Sequence, residues 1–212
     1  MHTDCSDGPR PGIGVRHVRR RLLAAAGCAL CGVALWPAAA TAAADMDPRL
    51  AQLLKERRTL WLRRGSEEVR STYWTATRGR LQDEYLQICW ILRDVQADRV
   101  FAMNRALLDT LAGIQAWLKQ AGVDAPIDVH SGYRTSRTNL ATEGAALNSR
   151  HVVGQAADIS VAGVSNVKLA GLSSVLGRGG TGFYVGRGFV HVDAGHERVW
   201  IDQQRKPPKP PG

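Results

Sequence analysis

The chain has 212 residues and a formal net charge of +9, which allows one domain with short extensions. Its basic balance suits an anionic partner such as cell-wall polymer. No nucleic-acid-binding motif accompanies it, so nucleic acid is not an expected partner. Three of the four cysteines, Cys5, Cys28 and Cys31, fall in the first 44 residues. The remainder carries only Cys89, which excludes an internal disulfide and a cysteine-built zinc finger there.

Residues 1–44 have the form of an export signal. A basic region ending in Arg19-Arg20-Arg21 precedes an apolar run from Leu22 to Trp36, and Ala42-Ala43-Ala44 offers a cleavage site. The twin arginine followed by Leu-Leu favours the Tat route. The run is too short and too rich in Ala and Gly for a lasting membrane anchor. A domain over 45–204 follows, starting with a short amphipathic helix or an ordered lead-in over 47–57. Thr59–Leu62 and Glu68–Trp74 read as two strands around Arg64-Gly65-Ser66. The spacing of Leu81, Tyr85, Ile88, Leu92 and Val95 predicts a helix. Leu107, Leu111, Ile114 and Leu118 form the stripe of a second, ending near Gly122. Trp74, Trp90 and Trp117 are expected in the core. Ile127–Ser131 reads as a strand that alternation would leave with His130 facing away from Ser131, and 136–146 as a short helix. Ala156–Val161 is a further strand, and Ser165 caps a helix running to Leu176. Gly182–Gly186, Phe189–Asp193 and Arg198–Ile201 read as three short antiparallel strands. Residues 205–212 form a Pro- and Lys-rich tail with nothing to bury, expected to be disordered. Strands interleaved with helices, with hairpins late in the chain, argue an α+β fold with a single antiparallel sheet flanked by helices.

The chemistry is concentrated in Ser149-Arg150-His151-Val152-Val153-Gly154-Gln155-Ala156-Ala157-Asp158, followed much later by Phe189-Val190-His191-Val192-Asp193. Two imidazoles and one carboxylate, His151, Asp158 and His191, make a three-ligand set for a catalytic Zn²⁺ that leaves a position for water. Asp193 stands two residues beyond His191, so both side chains leave the strand on the same side. It is a candidate general base or, with equal weight, the group that holds a ligand imidazole.

These motifs resemble the LAS-type zinc metallopeptidases, the group that includes D-Ala-D-Ala carboxypeptidases, murein endopeptidases and the Hedgehog fold, and within it the YcbK-like murein endopeptidase branch. Ser131-Gly132-Tyr133-Arg134-Thr135, Gly182-Phe183-Tyr184 and Gly195-His196-Glu197-Arg198-Val199-Trp200 carry the same likeness, which spans roughly 58–202. The resemblance implies a Hedgehog/DD-peptidase-like fold, zinc on His151, Asp158 and His191, and a catalytic Arg134 at the substrate carbonyl or carboxylate. It also implies Ser149 as a substrate-binding position, with Tyr133 and Tyr184 as substrate contacts lining the cleft or, alternatively, as packing residues there. Carboxypeptidase relatives carry Glu three residues before the last His. Gly188 stands there in this chain, which favours the endopeptidase branch. The function implied is that of an exported murein peptidase with peptidoglycan as its partner. The alternatives are a carboxypeptidase trimming D-amino acids from stem peptides and a non-catalytic cell-wall-binding module. The sequence does not encode oligomeric state.

Overall fold

The structure is a computed structural model, and the residues described are 48–177 and 179–203. The export signal read in residues 1–44 and the tail at 205–212 lie outside them. Five helices, α1 (Pro48–Leu53), α2 (Gln82–Ile91), α3 (Arg105–Gln120), α4 (Ser136–Ala141) and α5 (Asn166–Leu176), accompany eight strands. The strands are β1 (Arg57–Arg64), β2 (Glu67–Thr75), β3 (Gly79–Arg80), β4 (Ile127–Ser131), β5 (Ala156–Val161), β6 (Gly180–Tyr184), β7 (Val190–Asp193) and β8 (Arg198–Asp202). All eight form one sheet in the order β3-β2-β1-β4-β5-β7-β6-β8. Among the described residues no helix is long and apolar enough to cross a membrane.

The expected single sheet is present and mostly antiparallel, with two parallel pairings, β1 with β4 and β6 with β8. The last three strands are therefore not a simple meander. β7 returns beside β6, and the chain then crosses to the far side of β6 and runs alongside it.

Helix α3 is held at its start by Asn104, whose side chain accepts from the backbone of Ala106 and Leu107. Its stripe of Leu107, Leu111, Ile114 and Leu118 packs into the core. Ala157, Ile159, Val161, Val190 and Val192 meet that core from one face of β5 and β7. The intervening residues of those strands must then point to the opposite face, and that face carries the site.

Three expectations are corrected. Helix α2 ends at Ile91, and Val95 is exposed in a turn, because Asp94 accepts from the backbone of Gln96 and Ala97 and bends the chain there. Trp90 and Trp117 are about half exposed rather than core. Each lies on a helix side turned away from the buried residues, and Arg93 covers the Trp90 ring at 4.1 Å. Ser131 and His130 do not face apart. The β4–β5 register shifts between Val129 and Ser131, and this irregularity turns both side chains into one cleft.

Candidate metal centre

The strand register sets out the cleft floor in rows. One row runs Ser131, Asp158, His191, Gly182 and Trp200 across β4, β5, β7, β6 and β8. Gly182 is required in it, because a Cβ there would overlap the Trp200 ring. The third member of the trio arrives from a 3₁₀ turn, Arg150–Val153, just before β5. Ser149 caps that turn by accepting from the His151 amide, and Gly154 ends it with a left-handed φ of 66°. A side chain at Gly154 would also press on the Ala102 carbonyl and the Phe101 ring.

His151, Asp158 and His191 are all buried, and each offers one ligand atom, all within 4.8 Å of one another. His151 Nε2 lies 3.2 Å from His191 Nδ1 and 3.3 Å from Asp158 Oδ1, and His191 Nδ1 lies 2.9 Å from the same oxygen. Ligands about 2.0–2.1 Å from a tetrahedral zinc stand about 3.3 Å apart, so the spacing fits. The outer nitrogens fix the tautomers. His151 Nδ1 donates to the Gly132 carbonyl at 2.6 Å, and His191 Nε2 donates to Asp193 Oδ2 at 3.0 Å. With those protons placed, the inner nitrogens of the neutral rings are bare lone pairs aimed at each other and at a carboxylate oxygen. Three electron-rich atoms converging in a buried space suit a cation.

The proton affinities express the same demand. Burial lowers the His151 imidazole below its ordinary value, only partly offset by Asp158. Burial acts to lower His191 as well, but hydrogen bonds to Asp158 and Asp193 outweigh it and raise its affinity for a proton. Burial would raise Asp158, yet the two histidines hold its carboxyl far below the usual range.

Asp193 belongs to the row behind the trio. Its side chain has no exposed surface, and it accepts from His191, the amides of Gly180 and Gly195, and both terminal nitrogens of Arg198. Burial pushes its carboxyl upward, and these donors together hold it well below the usual range. Arg134 donates from Nη2 to Asp158 Oδ2 at 2.5 Å and from Nε to Ser131 Oγ at 2.7 Å. Tyr133, Arg134, Ser149 and Tyr184 all line a cleft of about 760 Å³ that contains the trio. Tyr133 also stacks on Phe101, with ring centroids 4.6 Å apart.

Sequence reasoning missed two supports. Arg198 forks onto Asp193, and Trp200 lies beside His191 with centroids 5.3 Å apart. The parallel β6–β8 pairing is what brings both to the cleft. The third unforeseen residue is Asp94. Its Oδ2 accepts from the amide and hydroxyl of Thr135, directly after Arg134. Only the turn-forming Asp-Val-Gln hinted at it, and its contact spans 41 positions. Burial acts to raise the Asp94 carboxyl, but hydrogen bonds from Thr138, Thr135 and Ala97 lower it overall. A lowered folded-state pKa contributes stability that is present above about pH 4 and lost as pH falls through the folded value. Asp94→Ala is therefore expected to cost about 1–3 kcal/mol at neutral pH. The gap from the parent should narrow in strong acid, as measured by urea unfolding at both pH values. An equal gap at both would refute this account.

The family model described as peptidoglycan L,D-endopeptidase MepK matches residues 52–200. The peptidoglycan L,D-endopeptidase MepK of Escherichia coli K12 is 34% identical over 189 residues, covering 86% of this chain and 96% of that protein. The protein of the same name from Shigella flexneri matches to the same extent. The probable peptidoglycan L,D-endopeptidase MepK of Haemophilus influenzae is 35% identical over 115 residues, 52% of this chain and 61% of that protein.

Proposed function

The chain belongs to the family described as peptidoglycan L,D-endopeptidase MepK, and on that premise we propose that it is an exported zinc peptidase that cuts peptide bonds in peptidoglycan stem peptides or cross-links. The observation that carries the reading is the convergence of His151 Nε2, His191 Nδ1 and Asp158 Oδ1 with their outer atoms already committed.

Zinc bound there would polarise a water and the scissile carbonyl. The Gly132 carbonyl and Asp193 each keep a proton on the outer nitrogen of a ligand imidazole, so the inner nitrogen always faces the metal. Asp193 has its donors on every side and no surface toward water, which supports the orienting role over that of general base. Arg134 occupies the second oxygen of Asp158, leaving Oδ1 as the ligand atom. The remaining N–H groups of its planar fork serve the substrate carbonyl or carboxylate. Ser149 places His151 through its cap and presents its hydroxyl at the cleft wall, with Tyr133 and Tyr184 as further substrate contacts.

Digestion of purified peptidoglycan, with fragments separated by chromatography, tests this. Fragments should appear with the zinc-loaded protein and vanish with chelator. No cleavage by protein carrying stoichiometric zinc would end the peptidase reading, and chelator-resistant cleavage would end the zinc assignment. We place the mature protein in the periplasm, its leader removed near Ala44, from the signal read in residues 1–44. Fractionation that finds it in the cytoplasm, or in the membrane with the leader attached, would contradict this.

A further inference from the structure

Two of the trio, Asp158 and His191, lie in one row of the cleft floor, and His151 stands over it from the 3₁₀ turn. A second row lies two residues further along β6 and β8, about 6.7 Å away. It holds Tyr184 paired with Asp202, and His130 and Phe189 line the cleft beside it. His130 Nε2 is hydrogen-bonded to Ser160 Oγ at 2.8 Å. The Phe189 ring lies 5.7 Å from His130 and 5.2 Å from Tyr184. This row is a continuous shelf leading away from the metal.

Above it stands Arg187, in the turn between β6 and β7. Its guanidinium lies 5.7 Å from the centre of the Tyr184 ring. Its Nη2 is 3.6 Å from where a Cβ on Gly144 would stand. The side chain thus reaches from the hairpin to the opposite wall, formed by the segment after α4. The other cleft arginines are committed: Arg134 to Asp158, Arg198 to Asp193, Arg150 to Gln155, and Arg64 to the carbonyls of Ile91 and Arg93. Arg187 rests on an aromatic face instead, and the residue is exposed.

We propose that Arg187, with Tyr184 and His130 beneath it, forms a subsite that recognises a carboxylate on the substrate residue beside the bond to be cut. The inference rests on the peptidase reading of the same cleft. A guanidinium, a phenol and an imidazole line the same cleft and offer N–H and O–H donors to a carboxylate, and Phe189, lying between His130 and Tyr184, provides apolar cover for the carbon stem that carries the charge. The subsite gives the cleft a direction, with the reacting bond at the trio and the selected charge one row beyond.

Two cross-linked murein peptides, identical except for a free carboxylate or its carboxamide at the residue flanking the scissile bond, test the proposal. Binding is measured by calorimetry with the metal-free protein, and kcat/KM with the zinc-loaded protein. The parent should favour the carboxylate peptide by about tenfold in both. Arg187→Ala and Arg187→Gln should bring both ratios near one with zinc content unchanged, and Arg187→Lys should retain part of the preference. Equal handling of the two peptides by the parent, or a preference that survives Arg187→Ala, overturns the subsite. Failure of the zinc-loaded parent to cut either peptide or whole murein, with the binding preference intact, would instead overturn the peptidase reading and leave the subsite standing.

Discussion

Replacing His151 and His191 together by Ala is expected to abolish stoichiometric zinc binding and murein cleavage while the chain still folds. The fold should survive because His191 leaves β7 on the face opposite Val190 and Val192, which pack into the core, and His151 lies on the 3₁₀ turn outside that core. Metal binding should not survive, because a carboxylate alone lacks the imidazole nitrogens that define a zinc site of this kind. Each single variant removes one of three ligand atoms and should weaken binding severely. Metal analysis of the protein from residue 45 onward, alongside circular dichroism, provides the check. Stoichiometric zinc in the double variant would show that the metal sits elsewhere.

The second large effect is expected at Asp193, where the two roles read from the sequence give opposite patterns. As an orienting group it fixes the His191 tautomer, so Asp193→Ala should weaken zinc affinity by about 10–100-fold. Asp193→Asn retains an oxygen that accepts from His191 Nε2, and should recover much of the affinity and turnover. As a general base, either change would keep zinc and lose about 10²–10⁴ in rate. The buried carboxylate, forked by Arg198 and bound by two backbone amides, supports the first pattern. Zinc affinity and kcat measured on both variants decide it. Tight zinc with equally dead Ala and Asn forms would restore Asp193 as the base. Arg198→Ala gives an independent reading, because loosening Asp193 should lower zinc affinity in the same direction and by less.

What the sequence made legible follows from the range over which each feature is encoded. The H-x6-D spacing and the strand bearing His191 are local patterns, and strand parity alone placed Asp193 on the side of its neighbour histidine. The α3 stripe was similarly readable from spacing. The direction of β8 was not, because a short strand records nothing about which neighbour it will join. The places of Arg198 and Trp200 beside Asp193 and His191 follow from that pairing and not from spacing. The irregularity at His130 was hidden for a related reason. Alternation assumes an unbroken ladder, and one shift in register reverses every facing beyond it. Asp94 shows the remaining limit: its turn is local, but its grip on Thr135 is a tertiary contact with no echo in periodicity. Trp90 and Trp117 show that a large apolar side chain on a helix need not lie on the buried face.

The rows of the cleft floor have a consequence for how such a site can diversify. Along β5 and β7, successive same-side positions alternate with positions that belong to the core, so the floor works as a ruler with a fixed two-residue graduation. On the proposed reading, reactivity belongs to the mark of Asp158 and His191, its mechanical support to the mark of Asp193 and Arg198, and selectivity to the mark of Tyr184. A substitution at one mark reaches the next only through side-chain contact, since the hydrogen-bonded ladder holds the spacing. Substrate preference can then change by exchanges near the β6–β7 turn while the ligand geometry stays constant, and the same hydrolytic centre can be re-aimed at differently charged polymers without being rebuilt.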